Sequence, residues 1–94
     1  MALRHAPPKA NSHKPIAIKD FKFAPAELTV AVGDTVAWTN GDSFPHTATA
    51  DSGAWSSPEL SAGSSYVFVA KRAGRYPYHC AAHPVMRGML VVHE

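Results

Sequence analysis

One short stretch near the C-terminus concentrates the residues best suited to chemistry: Tyr78-His79-Cys80-Ala81-Ala82-His83-Pro84-Val85-Met86. It holds the chain's single cysteine, a histidine three positions on and a methionine three positions beyond that. A further histidine, His46, stands upstream in Phe44-Pro45-His46-Thr47. One thiolate, two imidazoles and a thioether make a soft, mixed donor set. Each residue alone has an ordinary explanation: a lone cysteine is usually a small buried hydrophobe and a lone methionine usually fills core space. Their conjunction at this spacing points to a metal.

The donor types narrow the metal. Structural zinc asks for four strong ligands, commonly several thiolates. Here there is one thiolate, and a thioether is a poor zinc ligand. Catalytic zinc needs an open position and a nearby base, and no acidic residue lies in this loop. Haem attachment and iron–sulfur clusters need more cysteines. Copper tolerates thiolate, imidazole and thioether together in both of its redox states, and two histidines, a cysteine and a weak methionine are the set of blue-copper centres. A hydrolytic Cys–His pair is disfavoured, because the base would share one tight loop with the nucleophile and no oxyanion hole is visible.

Such ligands must be brought together from remote parts of a chain of 94 residues, a length that fits one small domain. Ile16 and Ile18 alternate with Ala17 and Lys19, and Leu28, Val30 and Val32 alternate with Thr29 and Ala31. Thr35–Asn40, Tyr66–Val69, Arg75–Cys80 and Gly88–His93 also read as strands, and Phe44–Ala50 can be extended. Gly33-Asp34, Asn40-Gly41-Asp42 and Ala73-Gly74 mark turns. Asp51–Ser65 is rich in Ser, Gly and Pro and reads as a long connection with room for one helical turn. Seven or eight short strands without a convincing helix predict an all-β, antiparallel sandwich over residues 15–94. Residues 1–14, polar and proline-bearing, read as a flexible N-terminal arm. Cys80 then ends one strand, His83 and Met86 sit in the loop to the last strand, and His46 arrives from an earlier one.

Composition sets outer bounds. Apolar residues make up 46% and the formal charge is +2. With no dense Lys/Arg run, nucleic acid is not an expected partner. No stretch approaches the roughly 20 apolar residues of a membrane span. The first residues lack the apolar core of a secretion signal.

Several segments together carry a resemblance. They are Val32-Gly33-Asp34-Thr35-Val36-Ala37-Trp38-Thr39-Asn40, Phe44-Pro45-His46, Ala73-Gly74-Arg75-Tyr76-Pro77-Tyr78-His79-Cys80 and His83-Pro84-Val85-Met86-Arg87-Gly88. From about Lys22 to its end the chain resembles the cupredoxins, and within them the amicyanins and their relatives. The short Cys80–His83–Met86 spacing is similar to amicyanin, where plastocyanin and pseudoazurin have a longer gap before the methionine. The resemblance implies a Greek-key sandwich of two sheets. It implies one copper ion cycling between Cu(I) and Cu(II), with His46, Cys80 and His83 equatorial and Met86 axial.

It further implies a monomeric one-electron carrier of the bacterial periplasm, not an enzyme, that meets other redox proteins transiently. Electrons are expected to leave through His83 and its small or apolar neighbours Ala81, Pro84, Val85 and Pro45. A Cu(I) buffer or delivery module is the alternative, although this chain lacks extra Met or Cys for it. Two positions depart from the family. Thr47 stands where asparagine is usual, and its hydroxyl is expected to replace part of the tie between ligand loops. Ala82 stands where amicyanin has proline, and its N–H is expected to donate a second hydrogen bond to the thiolate. His79 precedes the cysteine as in two-copper nitrite reductases, but strand alternation turns it away from Cys80. No partner histidines are evident for it. His5, His13 and His93 read as solvent-exposed.

Overall fold

The computed structural model describes residues 12–94. Among the described residues there are eight strands: β1 (His13–Lys19), β2 (Lys22–Ala24), β3 (Glu27–Ala31), β4 (Thr35–Asn40), β5 (Thr49–Ala50), β6 (Ser65–Val69), β7 (Gly74–His79) and β8 (Arg87–His93). They form two four-stranded sheets in the orders β2-β1-β4-β6 and β3-β8-β7-β5. From β2 onward the chain passes from sheet to sheet until β7 and β8 close as a hairpin. The expected sandwich is present.

Its pairing is mixed, not wholly antiparallel. β1 runs parallel to β4 and β3 parallel to β8. Alternation along a strand fixes which face is buried but not which neighbour it meets. Hairpin-linked strands must be antiparallel, whereas strands joined by crossovers are free to run together. The alternation itself is faithful: Ile16, Ile18, Val30, Val36, Trp38, Leu90 and Val92 all point inward.

Trp38 and Tyr78, both fully buried, form the centre, with ring centroids 5.4 Å apart and planes at 84°. Phe23 stacks edge-on against Tyr78, and Trp55 bridges Trp38 to Phe68. Burial pushes the Tyr78 phenol up to about 12. Gly88 lies opposite Tyr78 in the β7–β8 ladder, and any Cβ there would overlap the Tyr78 ring.

Three further differences have physical causes. The strand β2 pairs Phe23 with Ile18 through a two-residue turn, too short to show a period in sequence. The 51–64 connection contains no helical turn; buried Trp55, Ser57 and Leu60 hold it down through backbone hydrogen bonds to Ala50, Ala48 and His46. Strand β1 starts at His13, so the last two residues assigned to the arm belong to the sheet. Lys14 there reaches Asp34 at 3.1 Å. Ser12 is described and its C=O accepts from Thr35 N–H; residues 1–11 of the arm, with His5, lie outside the described residues.

Candidate metal centre

At one pole of the sandwich, β7 delivers Cys80 at its end. The chain then makes two successive turns: His83 N–H donates to Cys80 O (3.1 Å), and Met86 N–H donates to His83 O (2.8 Å). Cys80 N–H donates to Met86 O (3.1 Å) and closes the loop before β8 begins. The spacing of three residues between Cys80, His83 and Met86 thus repeats one turn twice and returns all three to a single pole. Met86 is buried with the core.

His46 reaches the same pole from the other side. Its N–H and C=O pair with Leu60, and Asn40 holds the segment by donating to Phe44 O (2.8 Å) and Leu60 O (2.9 Å). His46 and Cys80 are fully buried. The ligand atoms of His46, Cys80 and His83 all lie within 4.8 Å of one another. Among the described residues no other group of three or more His, Cys, Asp or Glu does this.

The details fit a metal. Asp42 accepts from His46 Nε2–H at 3.0 Å. An ionised carboxylate can only accept, so the proton sits on Nε2 and Nδ1 keeps its lone pair. That Nδ1 faces Cys80 Sγ at 3.7 Å. His83 Nδ1 is buried and has no hydrogen-bond partner among the described residues, and of the few such atoms it alone lies beside a thiol and a second imidazole. Two imidazole lone pairs and a thiol with no neutral role there form a donor set of the kind copper accepts.

The thiol has one backbone donor, Thr47 N–H at 3.4 Å. Thr47 Oγ1 also accepts from Ala81 N–H (2.8 Å) and pairs with Thr49 Oγ1 (2.9 Å). Its hydroxyl therefore ties the His46 segment to the Cys80 loop, as expected. The Ala82 expectation is not met: among the described residues its N–H makes no hydrogen bond to the sulfur. The first turn presents the His83 N–H inward, to Cys80 O, and leaves Ala82 at the exposed surface.

His79 points to Asp51, with Nδ1 2.6 Å from Oδ1, and Arg87 Nη2 donates to the other oxygen of the same carboxylate. These bonds hold Asp51 below the ordinary carboxylate value, the His79 contact foremost. The cluster braces the strands on either side of the ligand loop. His13 and His93 are exposed.

Sequence reasoning missed three residues. Asp42 Oδ1 accepts from Asp20 N–H (2.7 Å) and Oδ2 from Phe21 N–H (2.9 Å), in addition to His46. The Phe21 N–H is the largest cause of its lowered pKa; burial opposes, and Asp20 and His46 add to the lowering. Asp20 and Phe21 form the β1–β2 turn with φ of 53° and 59°. A left-handed backbone costs a non-glycine residue roughly 1–2 kcal/mol. The turn places the Phe21 ring 4.8 Å from the His46 ring and 5.1 Å from that of His83, at 85° and 87°. Phe44 packs 5.3 Å from His83. The available signals were the acid four residues before His46 and a Lys-Asp-Phe-Lys segment between apolar alternations.

Around His83 the surface is apolar. Phe21, Phe44 and Val85 are exposed by 45%, 48% and 91%, with Ala81 and Pro84 also exposed and Pro45 half-buried.

Comparison with known proteins agrees with this geometry. Residues 1–92 match the family model of the cupredoxin-like domain. The chain is 39% identical to amicyanin of Paracoccus denitrificans over 80 residues, 80% of this chain and 61% of that one. It spans about three fifths of the length of the Paracoccus amicyanins it matches. An oxidised proline-to-alanine variant of amicyanin superposes with a TM-score of 0.82 at 36% identity, covering 86% of this chain and 82% of that one. A purple cupredoxin from Nitrosopumilus maritimus superposes at 0.78 with 31% identity, covering 84% and 98%. By fold, by the ligand loop and by these matches, the chain belongs to the cupredoxin-like family.

Proposed function

We propose that the protein is a one-electron carrier holding a single copper ion between His46, Cys80 and His83, with Met86 as the weak axial ligand. The observation that carries this reading is the convergence of Cys80 Sγ with two imidazoles at one pole, one of them with a buried, unpartnered nitrogen. Bound there, copper supplies a couple between cupric and cuprous states.

The protein's own residues do the rest. The sandwich and the Asn40 and Thr47 ties keep the ligands from moving, so little reorganisation accompanies a change of charge. Asp42 fixes the His46 tautomer, as carboxylates beside metal-binding imidazoles do. Thr47 N–H donates to the sulfur and stabilises negative charge on it. His83 is the half-buried ligand, and electrons leave through it. Pro45, Ala81, Pro84 and Val85, joined by Phe21 and Phe44, give a surface that sheds water readily and suits brief docking of redox proteins. The carrier works as a monomer, not as an enzyme. The amicyanin relationship supports a periplasmic location; among the described residues no helix is long and apolar enough to cross a membrane.

Voltammetry of the copper-loaded protein tests the reading. A carrier gives a reversible one-electron wave and fast self-exchange. A Cu(I) buffer or delivery module, the alternative, binds Cu(I) and shows no reversible wave.

A further inference from the structure

The turn between β1 and β2 is an expensive piece of backbone with no role in the sandwich core. Both of its central residues sit at positive φ, and neither is glycine. Type I′ turns of this length ordinarily use Asn-Gly or Asp-Gly, because both positions need φ above zero. Here a bulky phenylalanine occupies the second position, and its ring is 45% exposed. Strain of this kind persists where the surroundings over-determine it, and it tends to serve a site. Two observations show what over-determines it. The turn's two N–H groups are both received by Asp42, and the oxygen that takes Phe21 N–H also takes His46 Nε2–H. The ring so placed stands nearly perpendicular to both imidazoles.

We propose that Asp42 and Phe21 are positioning residues acting as one unit: a single carboxylate locks the turn and the His46 tautomer together, and the turn presses Phe21 against His46 and His83 so that both rings are oriented before metal arrives. This rests on the copper reading above. Asn40 completes the unit, since its Oδ1 accepts from Asp42 N–H at 2.9 Å. Phe44 packs on His83 from its own segment, but its backbone, unlike that of Phe21, makes no hydrogen bond to Asp42. The unit holds His83 from outside, where the ligand loop itself supplies no partner for its ring nitrogen. Pre-ordering of this kind avoids the cost of fixing side chains during binding.

The test uses the full chain as wild type, Phe21→Ala, Phe21→Leu, Asp42→Asn and the Phe21→Ala/Asp42→Asn double variant. In the metal-free protein at mildly alkaline pH, nitrogen NMR reads the His46 proton on Nε2 and a single ordered His83 ring. Asp42→Asn mixes the His46 tautomers. Phe21→Ala leaves the fold intact, because the residue is half exposed, and frees the His83 ring; Phe21→Leu restores much of the order. With copper bound, release to a Cu(I) chelator rises in each single variant by about 10–100-fold, the usual cost of removing a group that orients a metal ligand. The double variant releases copper no faster than the more severe single, the non-additivity expected of residues that act together.

Multiplying effects in the double variant, or a Phe21→Ala protein with wild-type release and an unchanged His83 ring, would overturn the proposal. If Asp42→Asn does not fold, the Phe21→Ala and Phe21→Leu pair decides it alone. A wild-type chain that takes up no copper overturns the carrier function instead, while the metal-free NMR still reads the unit.

Discussion

Each pole of the sandwich is built around a buried aspartate, and the two are used differently. At the pole away from the ligands, Asp34 precedes β4. It accepts from Ala31 N–H (2.9 Å) and Lys14 Nζ (3.1 Å), and its backbone pairs with Ala70 and Ala31. Every group it touches belongs to the frame. At the ligand pole, Asp42 follows β4. It accepts from two backbone N–H groups, where Asp34 accepts from one, and its third partner is His46. At the frame pole Asp34 Oδ1 is buried without a hydrogen-bond partner, while the bonds of its other oxygen all go to the frame. The ligand pole ends in a strained turn, exposed phenylalanines and an imidazole nitrogen bonded to nothing. The same kind of side chain thus closes a sheet in one place and orients the His46 ring in the other. The lesson is that an unpartnered atom does not by itself mark the functional end, since Asp34 Oδ1 is one too; what separates the ends is an unpartnered imidazole nitrogen grouped with a thiol and a second imidazole.

Variants at the two poles should therefore fail in opposite ways. His83→Ala is expected to abolish the intense visible band of the copper-loaded protein, while the metal-free protein unfolds at nearly the wild-type temperature, because His83 Nδ1 makes no bond to lose. Calorimetry beside a visible spectrum checks both halves. Gly88→Ala should destabilise the metal-free protein by about 1–3 kcal/mol, the usual cost of overpacking, because its Cβ overlaps the fully buried Tyr78. Denaturant titration measures it.

Asp34→Asn reverses the first pattern: stability falls and the spectrum stays. The Ala31 N–H chiefly, with Lys14 and then His93, holds the Asp34 carboxyl below its ordinary 3.8 against the opposing effect of burial. A depressed folded-state value adds stability above the unfolded value, and that stability is lost as pH falls through the folded one. Acid unfolding below about pH 4 should be steeper in wild type than in the variant; equal slopes contradict the assignment. The smallest effect belongs to Thr47→Ala, which removes the bond from Ala81 N–H and should cost about 0.5–1.5 kcal/mol. Hydrogen exchange at Ala81 should show the loosened loop more clearly than global unfolding does.

What could be read from sequence follows the same division. The Cys80–His83–Met86 loop was legible because its geometry is local: two turns of fixed length need only the spacing. His46 was singled out from sequence only as an isolated histidine that completes the donor set, and the resemblance strengthened it. Strand faces were legible from alternation at Ile16, Ile18, Val30 and Val36, but the parallel partners were not, because neighbours across a sheet are set by crossovers. Phe21 and Asp42 lay beyond reach for a related reason. Their meaning resides in contacts spanning more than twenty residues of chain, and a phenylalanine inside a tight turn contradicts the local preference that sequence reading relies on. The Ala82 expectation failed on a local point: knowing that an N–H exists does not say which way its turn presents it.

The most direct test of the account is a cupric titration of the wild-type chain followed by visible absorption, run beside Cys80→Ala. The account predicts an intense band that saturates at one equivalent of copper in the wild type and is missing from the variant. A wild-type protein that stays colourless, or a variant that colours equally, would contradict it.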